Sequence, residues 1–188
     1  MQIVTNYKKF PQEAHGSVLL IGNFDGVHLG HIELIKKAHT LAKKNNLKLT
    51  VLTFDPHPAA VLSDKKFSSI LTLNEKIKKL EACDVDFLLI QKFTKIFAKT
   101  APSTFIKDIV VRYLKPRYII LGENSRFGAN KAGDLKLLHA LSKKFGFIVK
   151  IVTLKKNKGV ISSSKIRTLL QAKDIAAASK LLGYEIKI

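Results

Sequence analysis

Ser17 to Asn23 reads SVLLIGN, and it constrains the fold more than any other stretch of the chain. A continuous apolar run of this kind suits a strand buried on both faces rather than one that alternates between core and water. It leads into a glycine-rich turn. The segment 30–45 follows, with Ile32, Leu34, Ile35, Ala38, Leu41 and Ala42 close to a helical stripe. The same alternation recurs downstream. Strands are expected at Leu47–Phe54, Asp86–Gln91, Tyr118–Gly122 and Phe147–Leu154. Helices are expected at Leu73–Ala82 with Asn74 as N-cap, at Ser103–Leu114 after Pro102, and at Asp134–Phe145 closed by Gly146. A last pair is expected after Ser163 or Ser164 as cap and at Asp174–Leu182. Strands alternating with helices imply an α/β fold whose mainly parallel sheet, of five strands or slightly more, is flanked by helices.

In such a sheet, ligands sit beyond the carboxyl ends of the strands. That rule selects four loops: Gly22–Gly30, Phe54–Pro58, Gly122–Gly128 and Leu154–Ser164. They hold the most distinctive residues of the chain.

In the first loop, Gly22, Gly26 and Gly30 surround the strand-to-helix connection in GNFDGVHLGH. Glycine lets backbone approach a phosphate, and a helix start near Gly30 offers free N–H groups to an anion. His28 and His31 are three apart, which brings them to one face of a helical turn. Two imidazoles there could donate hydrogen bonds to phosphate oxygens as charge develops. The spacing is neither the Walker pattern nor GxGxxG. Zinc would need a third ligand, and none follows at useful spacing. The plain alternative is two surface histidines in a glycine turn; the apolar strand and three glycines together favour phosphate handling.

The other loops read less sharply on their own. Phe54-Asp55-Pro56-His57-Pro58 is a stiff exit from a strand. Gly122-Glu123-Asn124-Ser125-Arg126-Phe127-Gly128 is a loop with one exposed arginine. Ile161-Ser162-Ser163-Ser164-Lys165-Ile166-Arg167 supplies hydroxyls and helix-start N–H groups, with two cations beside them, and Arg can grip phosphate bidentately. Standing alone, it reads better as a plain N-cap with two solvated cations. Lys150, Lys155, Lys156 and Lys158 lie just upstream.

Composition bounds the rest. The 188 residues suffice for one domain with a full core, and 46% hydrophobic with 25% charged residues is ordinary for a globular chain. Apolar runs such as Val18–Ile21 and Phe87–Ile90 are too short to span a bilayer, and Met1–Pro11 lacks the features of a signal peptide, so a cytoplasmic protein is expected. Cys83 is the only cysteine and is read as a buried structural thiol. The net charge is +19, from 29 lysines and four arginines against 14 acidic residues. Residues 1–94 carry +4 and residues 95–188 carry +15, a field that attracts nucleic acid, anionic membrane or phosphorylated small molecules alike.

GVHLGH resembles the HxGH signature of the nucleotidyltransferases related to class I aminoacyl-tRNA synthetases. The longer IGNFDGVHLGH is similar to the adenylyltransferase domain of bacterial FAD synthetase. The later loops resemble that family's FxPxP, G-x-[DN]-F-x-F-G and ISSTxIR motifs in the same order, with Ser125 where an aromatic is usual and Ser164 where threonine is usual. The resemblance implies a Rossmann-like nucleotidyltransferase fold and transfer of AMP from ATP to FMN, giving FAD and pyrophosphate. It implies catalytic roles for His28, His31, Ser164 and Arg167. ATP would meet Gly22, Asn23, Phe24, Asp25, Gly30 and Ser163. FMN would meet Phe54, Pro56, His57, Pro58, Asn124, Arg126 and Phe127. Mg²⁺ is expected on the substrate phosphates rather than on protein ligands. Residues 1–188 are expected to form a single adenylyltransferase domain without a riboflavin kinase domain, a separate kinase supplying FMN. Two rivals stand beside this: the same chemistry on another phosphorylated acceptor, such as nicotinamide mononucleotide, phosphopantetheine or glycerol 3-phosphate, and a basic nucleic-acid-binding module. The second is the weaker, because most aromatics fall in the strands and helices instead of interleaving with the basic residues.

Overall fold

A computed structural model describes residues 1–64, 66–153 and 161–186. Its centre is a six-stranded, wholly parallel sheet built from β1 (Gln2–Val4), β2 (Val18–Ile21), β3 (Leu49–Asp55), β4 (Phe87–Lys92), β5 (Tyr118–Gly122) and β6 (Ile148–Val152), in the order β1-β4-β3-β2-β5-β6. Five strands fall where the apolar runs place them. The sixth, β1, pairs Gln2 with Phe87 at the sheet edge. Three residues, two of them exposed, are too few to display a period, so no sequence pattern marks this strand.

The chain runs outward from β2 to β3 and β4, then returns to lay β5 and β6 on the other side. The reversal falls between β2 and β5, so the loops after β2, β3 and β5 open side by side at the sheet's carboxyl edge.

Strand alternation divides the core in two. Val18, Leu20, Val51, Leu88 and Ile120 point to one face, covered by α1 (Leu29–Lys44), α3 (Leu73–Glu81), α7 (Ser163–Gln171) and α8 (Ile175–Leu182). Leu19, Leu52, Leu89, Ile119 and Leu121 point to the other, covered by α6 (Leu135–Phe145) and by α5 (Pro102–Thr104), which continues as a π-helix over Phe105–Leu114. Val18, Leu19 and Leu20 are all fully buried, as a central strand covered on both faces must be. The short α2 (Pro58–Leu62) and α4 (Lys95–Ala98) sit at the carboxyl edge after β3 and β4.

Two helix starts differ from expectation. α3 is capped by Thr72, not Asn74: the Thr72 hydroxyl accepts from Glu75 N at 3.3 Å and Thr72 N donates to the Glu75 carboxylate at 2.8 Å. This reciprocal box satisfies two orphan donors, and it places Asn74 inside the first turn. α7 is capped by Ser162, whose hydroxyl accepts from Lys165 N at 3.3 Å, not by Ser163 or Ser164. The helix starting one residue earlier releases the Ser163 and Ser164 hydroxyls for other partners. Gly146 closes α6 as expected, in the left-handed region at φ +77°, and Asp134, expected as the first helical residue, is its N-cap.

Among the described residues, no helix is long and apolar enough to cross a membrane.

Candidate active site

The turn between β2 and α1 is wound tightly and filled from within. Phe24, at φ +48°, folds its ring into the core, where it is 1% exposed. It lies so close over Gly22 that a Cβ there would stand 3.2 Å from the ring. Gly26 takes φ +82°, and a Cβ would meet Ile70 and Leu182 side chains at 3.0 and 3.1 Å. Glycine serves both demands, positive φ and close approach. The Tyr184 hydroxyl donates to the Gly26 carbonyl at 2.7 Å and ties the C-terminal segment to the loop; burial pushes the phenol up to about 12.

His28 is the N-cap of α1, and its Nδ1 accepts from His31 N at 3.3 Å. An accepting Nδ1 leaves the proton on Nε2, so the cap fixes the tautomer. His31 sits in the first turn. The two rings stack with centroids 3.7 Å apart and planes 12° apart, and Phe24 backs His31 at 5.1 Å. Burial is the main reason both imidazoles lose their protons easily. His28 is lowered to about 4, and His31 falls well below the ordinary value, with the His28 and Lys76 charges adding to burial. At neutral pH the pair is uncharged and works as hydrogen-bonding groups, not as cations. His31 Nδ1 is buried with no partner among the described residues. Gly30, between the two histidines in sequence, is buried at the start of α1.

Asp25 joins this loop to the serine-rich segment. Its carboxylate, 3% exposed, accepts from Arg167 Nη1 and from Ile70 N at 2.9 Å, and its carbonyl accepts from the Ser163 hydroxyl at 2.8 Å. Arg167 Nη2 donates to the Ser164 hydroxyl at 3.2 Å. Asp25, Ser163, Ser164 and Arg167 therefore form one network, in which Asp25 orients the arginine. Asn23 contributes its carbonyl to the Thr53 hydroxyl at 3.0 Å and so links the first loop to β3. Lys165 is exposed, as is Lys150 on β6. Leu154, Lys155, Lys156 and Lys158 lie outside the described residues.

The loop after β3 contains a cis Asp55–Pro56 bond and begins α2, with Pro58 in its first turn. His57 caps α2 through Nδ1, which accepts from Ala59 N at 3.1 Å. Its ring stacks on Phe67 at 4.3 Å, and the Arg167 guanidinium lies 4.9 Å from the same phenyl centroid. Burial first, then the Arg167 and Lys76 charges against the pull of Asp25, lowers His57 to about 4. Phe67 thus couples the second loop to Arg167. As a single aromatic in KKFSS it carries no periodic signal.

Phe54 belongs to a run of phenylalanines along the carboxyl edge. It meets Phe93 at 5.7 Å and Phe97 at 6.1 Å; Phe97 meets Phe105 at 6.1 Å, and Phe105 meets Phe127 at 6.4 Å. The loop after β5 is shaped by close packing, since a Cβ on Gly133 would stand 2.6 Å from the Phe127 ring and one on Gly128 2.6 Å from Pro102 Cα. Asn124 is exposed, and Ser125 beside it is half-buried, its N–H donating to the Gly122 carbonyl at 3.0 Å. Arg126, exposed, pairs with Asp134 at 3.4 Å. Among the described residues, no three His, Cys, Asp or Glu stand together as a metal site.

The FAD synthetase family pattern matches residues 10–165. The chain belongs to the FAD synthetase family. It is 36% identical over 187 residues to the bifunctional riboflavin kinase/FMN adenylyltransferase of Escherichia coli K12, an alignment covering 98% of this chain and 59% of that protein. The Bacillus subtilis protein of the same description is 36% identical over 181 residues, covering 94% of this chain and 57% of the relative. The chain thus spans about three-fifths of the length of the curated relatives it matches. Among solved structures, a Streptococcus pneumoniae protein described as a macrolide-efflux protein superposes with a TM-score of 0.84 at 30% identity, over 97% of this chain and 59% of that one. Pantothenate synthetase from Thermus thermophilus superposes with a TM-score of 0.55 at 15% identity, over 97% and 81% of the two chains, a likeness of fold alone. The Rossmann-like nucleotidyltransferase architecture is consistent with both.

Proposed function

We propose that this chain transfers AMP from ATP to FMN, releasing FAD and pyrophosphate. The observation that carries the reading is the neutral, stacked His28–His31 pair at the start of α1, facing a sheet edge where Arg167 is held by Asp25. Family membership and the FMN adenylyltransferase activity named in the relatives supply the acceptor.

On this reading an FMN phosphate oxygen attacks the α-phosphorus of ATP. A P–O bond forms to FMN, the α–β P–O bond breaks, and pyrophosphate leaves with the electron pair. The nucleophile is anionic at neutral pH, so no strong base is needed, and catalysis rests on positioning and charge stabilisation. His28 and His31 donate to the transferring phosphate and the leaving group. Backbone of Gly22 to Phe24 and the start of α1 at Gly30 cradle the nucleotide. Ser164 and Arg167 take the β- and γ-phosphates. Asp25 and Ser163 act on ATP indirectly, as the frame that aims Arg167. Phe54, Pro56, His57, Pro58, Asn124, Arg126 and Phe127 border the flavin side.

Mg²⁺ enters with ATP as part of the substrate and neutralises phosphate charge. The engagement of the Asp25 carboxylate by Arg167 and Ile70 N supports that source. Riboflavin phosphorylation, the other activity named in the relatives, is assigned to a kinase unit outside residues 1–188.

The test is direct. Purified chain with ATP, Mg²⁺ and FMN should form FAD and pyrophosphate in equal amounts, and riboflavin in place of FMN should yield no FAD. Adenylylation of nicotinamide mononucleotide, phosphopantetheine or glycerol 3-phosphate without FAD formation would replace FMN as acceptor. Salt-sensitive RNA or DNA binding with no adenylyl transfer would remove the enzymatic reading altogether.

A further inference from the structure

Lys76 is buried, 5% exposed, and no other lysine or arginine among the described residues is. It stands on α3 four residues before Leu80, on the face that packs against the sheet. An ammonium has three donors. Only one is used among the described residues: Nζ donates to the Phe54 carbonyl at 3.3 Å. Asp25 and Asp55 lie near enough to favour the charged form, yet neither forms an ion pair with it, and Asp25 is already committed to Arg167. Burial lowers the pKa of the lysine. A buried ammonium with one weak acceptor is costly, and an apolar side chain would fit that face of α3 better.

Its surroundings make that cost intelligible. The Lys76 charge acts on both His31 and His57, so the ammonium lies between the first and second loops. His31 Nδ1, which that charge reaches, is likewise buried and has no partner among the described residues. Lys76, held at the Phe54 carbonyl, and His31, both under-satisfied, are thus within electrostatic reach of each other.

We propose that Lys76 binds substrate phosphate: its Nζ, anchored to the Phe54 carbonyl, takes a phosphate oxygen of a bound nucleotide as its counter-ion. The proposal rests on the nucleotidyl-transfer reading above. A phosphate oxygen supplies the anion that the free protein lacks there, and the buried setting strengthens the attraction. Both substrates carry phosphate, so ATP and FMN are equally eligible sources.

The experiment is calorimetric titration of ATP·Mg²⁺ and of FMN, separately, into the wild type, Lys76→Met and Lys76→Gln. Methionine keeps the volume and removes the charge. Glutamine also keeps a donor for the Phe54 carbonyl, so it preserves the loop and reads the charge alone if the methionine variant fails to fold. Both variants should bind one of the two ligands at least about tenfold more weakly, the scale of one charge-assisted hydrogen bond. Loss confined to ATP assigns its phosphates, and loss confined to FMN assigns the acceptor phosphate. The unliganded Lys76→Met protein should melt at the wild-type temperature or above it, because a poorly paired buried charge has gone. Unchanged affinity for both ligands in Lys76→Gln overturns the proposal, whatever the melting temperature. A wild type that binds neither ligand refutes the nucleotide site itself, and the proposal with it.

Discussion

Arg167 of α7 donates to the carboxylate of Asp25 in the loop after β2, across 142 positions of sequence. Through that one pair the first and fourth loops of the site acquire a fixed relation, and the second joins them, since Arg167 also lies over Phe67 and Phe67 stacks on His57. Asp25→Asn keeps an acceptor for Ile70 N and removes the charge opposite Arg167. The variant should lose about 1–3 kcal/mol of stability, the cost of weakening a buried charged contact, and should lose at least about tenfold in kcat/KM as the arginine loosens. Urea unfolding and steady-state kinetics check both figures, and a variant equal to wild type in both contradicts the framing role.

His31→Ala should lower kcat by at least about tenfold while the protein stays folded, the loss expected from one transition-state donor. The alanine keeps the backbone N–H that donates to His28 Nδ1, so the cap survives. Turnover at the wild-type level in that variant refutes the assignment.

The buried histidines also set a pH dependence of stability. His28 is lowered from 6.5 to about 4 by burial, so the unfolded chain binds its proton first as pH falls. A folded-state pKa below the unfolded value means that stability is full above about pH 6.5 and declines between there and pH 4. His28 alone should make the protein about 2 kcal/mol less stable at pH 5 than at pH 7.5. Urea denaturation of wild type and His28→Gln at the two pH values measures this. The substitution should shrink the difference; an unchanged difference contradicts it.

Phe67→Ala removes the surface shared by His57 and Arg167. Losing one stacking and one cation–π contact should weaken ATP binding about three- to tenfold, with little change in fold, because Phe67 lies outside both core clusters. Titration of ATP·Mg²⁺ into the variant reads the effect, and Phe67→Tyr should restore most of the affinity.

The sheet was largely legible because β2, β3, β4 and β5 are short apolar runs with helical stripes between them, and burial on both faces leaves that mark in sequence. β1 was not, since its place comes from pairing with β4 and its three residues carry no pattern. The glycine turn and the paired histidines of the first loop were legible for a local reason: spacing within one turn determines that they meet. The serine cap falls on Ser162 and not on Ser163 or Ser164, because three serines in a row offer equal local chemistry and tertiary contacts choose among them. Phe67 and Lys76 left no sign. One is an isolated aromatic in a polar stretch and the other a lysine in a lysine-rich chain, and only the folded arrangement brings them to His57, Arg167 and the end of β3.

Adenylyl transfer to FMN is tested most directly by isotope. With ATP carrying labelled phosphorus at the α position, together with FMN and Mg²⁺, the label should appear in FAD in step with its formation. With label at β or γ, it should appear in pyrophosphate and never in FAD. Absence of α-label from any flavin product, with the wild-type chain folded and ATP bound, would contradict the account.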